Sequence, residues 1–196
     1  MKRIPLIVST AAVCAAVAPA TAGAQSSVDV ARGATTVTLD AGTAAVLTGT
    51  GAGQLGLTLG VLRPARADLP RLRFPVTTGH ARVGGDPPAL RGGRIRHSGG
   101  ISLSKGGAVL RLRRFIINVD RGVLTADAGG ARVPILRLGG DIRLGVKGRR
   151  VTVSRVGLTF TPQAIGALNQ TFGTALDTGA QIPFGTAVVR TRAVAR

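Results

Sequence analysis

Tyrosine, tryptophan and glutamate are all missing from the 196 residues, and the aromatic content is five phenylalanines. No phenolate is available to ligate a metal, and few flat side chains exist on which bases could stack. No nucleic-acid recognition motif offsets that scarcity, so a nucleic-acid partner is not expected. The single thiol, Cys14, falls in the N-terminal leader described below. The rest of the chain can form no disulfide, hold no metal through thiolate and carry no cysteine nucleophile. All eight acidic residues are aspartates, and no paired carboxylates, acyl-transfer triad or phosphate-cradling loop can be assembled from the sequence. The chain is not expected to be an enzyme.

The first residues have the organisation of a secretory signal peptide. Met1-Lys2-Arg3 is a positive start, Ile4 to Ala18 is mostly apolar, and Ala20-Thr21-Ala22 and Ala22-Gly23-Ala24 offer small residues for cleavage. Pro5 and Pro19 bound an apolar run too short for a comfortable membrane span. Ala11-Ala12-Val13 before Cys14 does not follow the lipoprotein pattern. Residues 1–24 are thus expected to be a leader and 25–196 a single extracytoplasmic domain, large enough to fold on its apolar core alone.

Without Lys2 and Arg3, the 26 basic residues become 24 against 8 acids, a net charge of about +16. The basic residues include Arg91, Arg94, Arg96, Arg111, Arg113, Arg114, Arg149 and Arg150. Outside the cytoplasm such a surface meets phospholipid headgroups, anionic wall polymers or the propionates of a porphyrin. The plainer account is that scattered arginines keep a β protein soluble and its edges unpaired.

Apolar residues alternate along most of the chain. In Gly92–Asp120 the pattern runs through Ile95, His97, Gly99, Ile101 and Leu103, breaks at Ser104-Lys105-Gly106-Gly107, and resumes at Leu110 and Leu112. That is a β-hairpin, with glycines supplying the turn. The apolar phase then slips by one residue to Phe115, Ile117 and Val119, which predicts a β-bulge near Arg113-Arg114. A second slip separates Val151 and Val153 from Val156, Leu158 and Phe160.

Other strands are predicted at Thr35–Leu39, Leu55–Val61, Leu72–Val76, Val123–Ala126, Ala131–Leu138, Ile142–Val146 and Ile182–Arg190, with a long turn-rich loop from Thr77 to Leu90. Pro134 implies an edge or a bulge. Two short helices are expected, one after Asp40 over Ala41–Thr48 and one after Thr161-Pro162 reaching Phe172. The two strand–cap–helix segments, 36–47 and 157–168, resemble each other, and each helix is expected to plug one end of a sheet. The fold class is mainly β: an antiparallel β-sandwich or flattened barrel with two short α-helices.

Short motifs carry little. Gly51-Ala52-Gly53-Gln54-Leu55-Gly56 spells a dinucleotide fingerprint, but a strand and not a helix follows it. Ser102-Leu103-Ser104-Lys105 spells SxxK on a hairpin, where the helix start needed by that nucleophile is missing. Asn169-Gln170-Thr171 is a glycosylation sequon at the end of a helix. His80 and His97 are the only histidines. His97 shares the phase of Ile95 and Ile101, which puts it on the core side of its strand, either as a buried histidine satisfied by backbone or as a ligand in a pocket.

Phe74-Pro75-Val76-Thr77-Thr78-Gly79 and Gly93-Arg94-Ile95-Arg96-His97-Ser98-Gly99-Gly100-Ile101-Ser102-Leu103 resemble the HtaA-type domain of secreted and surface haem-uptake proteins of actinobacteria. There an FPVxxG segment precedes a hairpin of this pattern. The resemblance implies a β-rich sandwich with two short helices at the cell envelope, binding haem. It also implies a tyrosine on the iron supported by a hairpin histidine. This chain has no tyrosine, the family's histidine falls near Gly100, and His97 stands where an aromatic residue is usual. By that resemblance His97 or His80 would have to ligate the haem iron, with Arg94, Arg96, Arg111 and Arg113 as ligand-binding residues for the propionates. The alternative from another class is a structural or adhesion module that holds anionic cell-wall polymer or lipid through its arginine face.

Overall fold

The computed structural model describes residues 26–49, 54–85 and 88–194. The leader expected over 1–24, with Cys14, and residues 51–53 of the GxGxxG match lie outside the described residues. The elements are β1 (Ser26–Leu39), α1 (Ala41–Thr48), β2 (Thr58–Leu62), β3 (Arg66–Asp68), β4 (Arg71–Gly84), β5 (Ala89–His97), β6 (Gly100–Lys105), β7 (Ala108–Asn118), β8 (Val123–Ala128), β9 (Ala131–Gly139), β10 (Arg143–Lys147), β11 (Arg150–Phe160), α2 (Pro162–Phe172) and β12 (Pro183–Ala193).

Eight antiparallel strands close on themselves in the order β7-β5-β4-β1-β12-β11-β9-β8, with β8 returning to β7. Closure leaves these strands without a long free edge. Of the two architectures predicted, the barrel is the one observed. The β2–β6 hairpin-like pair extends from the first half of β7, β3 sits on β4, and β10 on β11.

Bulges help bend the sheet into a barrel. Both predicted phase slips are bulges: the register shifts between Arg113 and Ile116, where Arg114 has φ +50, and between Val153 and Val156, where Arg155 has φ +57. A third, at Arg32 with φ +57, shifts the β1–β12 register before Gly33. At Pro134 the β8–β9 register also shifts, and β9 pairs with β11 only from Leu136 onward, so the proline lies outside the doubly paired stretch.

Two expectations are corrected. The loop predicted over Thr77–Leu90 is mostly strand, because β4 continues to Gly84 and β5 begins at Ala89. Its outward side chains are polar and its inward positions include small residues, so the apolar alternation fades while the backbone still pairs with β1 and β5. The strand predicted from Ile95 to Leu103 is two strands. Ser98-Gly99 breaks it, Gly99 has φ +82, and a Cβ on Gly99 would lie 2.6 Å from the Ala65 backbone nitrogen. β1 and β11 both run antiparallel to β12 and both end beside Pro183–Gly185, so α1 and α2 leave the same end of the barrel.

Each helix is capped as its sequence requires. Asp40 accepts from the Thr43 backbone N–H at 2.9 Å, and Thr161 accepts from that of Ala164 at 3.1 Å with Pro162 opening the helix. Gly173, at φ +64, ends α2. Inside, two edge-to-face phenylalanine pairs, Phe74–Phe115 and Phe160–Phe184, stand with centroids 5.0 and 5.2 Å apart. Each pair contributes about 0.5–1.5 kcal/mol beyond the area it buries.

Candidate functional site

Two spaces stand out, one inside the wall of the barrel and one outside it. The inner chamber has a volume of about 130 Å³ and lies under the helical end. Leu47 of α1 and Ala164 and Leu168 of α2 roof it, while Val37, Phe74, Phe115, Leu136 and Phe160 supply apolar walls. Its one ionisable side chain is His97, at the end of β5.

His97 is 5% exposed, and both of its ring nitrogens are engaged. Nδ1 lies 3.3 Å from the Phe115 carbonyl oxygen, which can only accept, so Nδ1 carries the proton. Nε2 is then the acceptor for the Thr35 hydroxyl at 2.7 Å. Burial pushes the His97 pKa down to about 4, against a smaller upward pull from the bond to Phe115. The imidazole is neutral at physiological pH and belongs to a closed hydrogen-bonded unit.

The outer space is an open groove of about 1050 Å³ along the exposed face of the first half of β7. Val109, Arg111 and Arg113 alternate on that face, Leu62 and Arg63 approach from the end of β2, and Asp127 to Gly130 close the other side. The guanidiniums of Arg63, Arg111 and Arg113 have no ion-pair or hydrogen-bond partner among the described residues. Asp127 is already committed: the Gly130 backbone N–H at 2.9 Å and the Arg114 guanidinium hold its carboxyl below the usual range. Leu110 and Ala128 border both spaces and are the partition between them.

The structure separates the candidate residues into three places. His97 faces the chamber, and Arg111 and Arg113 face the groove. His80, Arg94 and Arg96 are exposed on β4 and β5, with His80 directly opposite Arg94, and line neither space. His80 and His97 lie on opposite faces of the sheet and cannot meet one ligand together. Ser102 and Lys105 sit on a strand and its turn, and Asn169 is occupied in bonding Thr174 and Leu176 after α2. Among the described residues no group of three or more His, Cys, Asp or Glu could hold a metal ion, and no helix is long and apolar enough to cross a membrane.

Two participants escaped the sequence reading. Thr35 shares the odd-numbered phase of Val37 and Leu39, so a hydroxyl on the buried stripe was visible there, but its partner was not. Arg63 follows the apolar stripe of β2 and carries no local signal at all.

In architecture the chain is similar to the C-terminal domain of HtaA from Corynebacterium glutamicum, with a TM-score of 0.60 over 85% of this chain and 99% of that one at 13% identity. It is also similar to the heme binding protein HtaB from Corynebacterium glutamicum, with a TM-score of 0.53 over 87% and 98% of the two chains at 9% identity. No family model matches the sequence, and no curated protein matches it. The chain has the HtaA-type fold.

Proposed function

We propose that this chain is a non-enzymatic ligand-binding domain of the cell envelope and that its ligand is a haem-type tetrapyrrole. The leader read over residues 1–24 supports placement outside the cytoplasm, and the fold shared with a heme binding protein supports the ligand class. The observation that carries the reading is the groove. Its volume of about 1050 Å³ matches the upper end of small-molecule sites, roughly 300–1,000 Å³. It sets apolar side chains beside three unpartnered guanidiniums, the combination a flat apolar ring with carboxylate arms requires.

The residues fit such a ring and do not fit ligation of its iron. Tyrosine is missing, and Met1 and Cys14 lie outside the described residues. His97 has both nitrogens in use and faces a chamber of about 130 Å³, below the range for a ligand of this size. His80 does not line the groove.

A second reading, retention of anionic wall polymer or lipid, draws on the outer surface. Arg150 stands directly opposite Arg192, and Arg66 opposite Arg73. Like charges so placed repel, and a polyanion lying across them removes the repulsion. A haemin titration followed by absorbance in low and high salt separates the two. A saturable Soret shift at one equivalent that is weakened but retained in high salt supports the tetrapyrrole, since apolar contact is not screened. Absence of saturable haemin binding, together with salt-labile retention on anionic polymer, favours the second reading.

A further inference from the structure

Granting the tetrapyrrole reading above, we infer that this protein grips the ring and its carboxylates and leaves the metal unligated, so that a metal-free porphyrin is as good a ligand as haemin. Arg111 and Arg113 leave the same exposed face of β7 two residues apart, with Leu112 between them pointing inward. That spacing puts their Cα atoms about 6.7 Å from each other. Two carboxylates on one edge of a tetrapyrrole can each take one of these guanidiniums through paired N–H donors. Arg63 adds a third cation from the β2 side. Between them, Leu62, Val109 and Ala128 offer apolar contact to the ring. At the far end Gly129 and Gly130 carry no side chain, and a Cβ at either would meet nothing within 4 Å, so the ring edge has open space there.

Nothing in that groove binds iron well. Its residues include no imidazole, thiolate, thioether or phenolate. Its one carboxylate, Asp127, is held by Arg114 and the Gly130 N–H. The nearest imidazole, His97, is on the other side of the Leu110–Ala128 partition, with Thr35 on one nitrogen and the Phe115 carbonyl on the other. Recognition therefore falls to charge and apolar area, which haemin and its metal-free parent share.

The test is a set of titrations with three probes: haemin, metal-free protoporphyrin IX and the dimethyl ester of protoporphyrin IX. The expected result is that haemin and the free base agree within about threefold in Kd. The ester, with both carboxylates neutralised, binds at least about tenfold more weakly. Arg111→Ala with Arg113→Ala weakens haemin and the free base alike, and the bound haemin spectrum is the same in His80→Ala and His97→Gln as in the parent. Haemin binding tighter than the free base by about tenfold or more, with a spectrum that changes in either histidine variant, would overturn the inference and leave the tetrapyrrole reading standing. The porphyrin comparison needs no variant, so poor folding of His97→Gln does not affect it. Binding of neither porphyrin would remove the tetrapyrrole reading and the inference together.

Discussion

The Nε2 of His97 lies 2.7 Å from the Oγ1 of Thr35, joining β5 to β1 across the intervening β4, between residues 62 apart in sequence. Both side chains are buried. With the Phe115 carbonyl on Nδ1, this pair has its own polar groups satisfied among the apolar walls of the chamber, and no buried side-chain nitrogen or oxygen among the described residues lacks a partner.

Thr35→Val keeps the shape and removes the donor, leaving Nε2 buried and unsatisfied. We expect a loss of about 1–3 kcal/mol in urea unfolding. Thr35→Val combined with His97→Leu should lose less than the two single losses added together, because neither partner is then stranded. Additive losses would show that the bond does not couple the two sites.

Stability should depend on pH through His97. Its pKa is about 4 when folded and 6.5 as an unperturbed imidazole, so between those values the unfolded chain binds the extra proton. Stability from this group is therefore full above about pH 6.5 and declines as pH falls toward 4, by roughly 3 kcal/mol in all. Urea midpoints across that range should fall in the parent and fall much less in His97→Leu. Parallel slopes in the two proteins would assign the pH dependence to other groups.

Gly185→Ala should be severely destabilising. Gly185 has φ +148, and a Cβ there would come 2.0 Å from the Thr38 carbonyl oxygen on the neighbouring strand. We expect a loss above about 3 kcal/mol or no soluble protein. Gly166→Ala, in the middle of α2 with nothing within 4 Å, should instead stabilise by up to about 1 kcal/mol. Thermal melts of the two variants check both signs.

Thr161→Ala removes the cap of α2 and also the hydroxyl that donates to the Pro134 carbonyl at 2.7 Å. The cost should be about 1–2 kcal/mol, and amide exchange should accelerate in the first turn of α2 before it does in β11. Because α2 roofs the chamber, uniform acceleration across the barrel would indicate that the helix is not a separate cooperative unit.

Much of the local structure was legible in the sequence, because strand phase, caps and phase slips are encoded over a few neighbouring residues. Alternation placed Val37, Phe115 and Leu158 inside, the slips after Leu112 and Val153 located two bulges, and Asp40 and Thr161 marked both helix starts. The bulge at Arg32 stayed hidden because small residues around it blur the phase. Tertiary structure decided the rest: the closure of β8 onto β7, the break at Ser98-Gly99, the placing of both helices at one end, the pairing of His97 with Thr35, and the meeting of Arg63 with Arg111 and Arg113. A period of two states which side of a strand a residue faces but not which strand lies beside it. Partners distant in sequence are chosen by the closure of the whole sheet, whose registers come from bulges, glycine contacts and buried shape acting together.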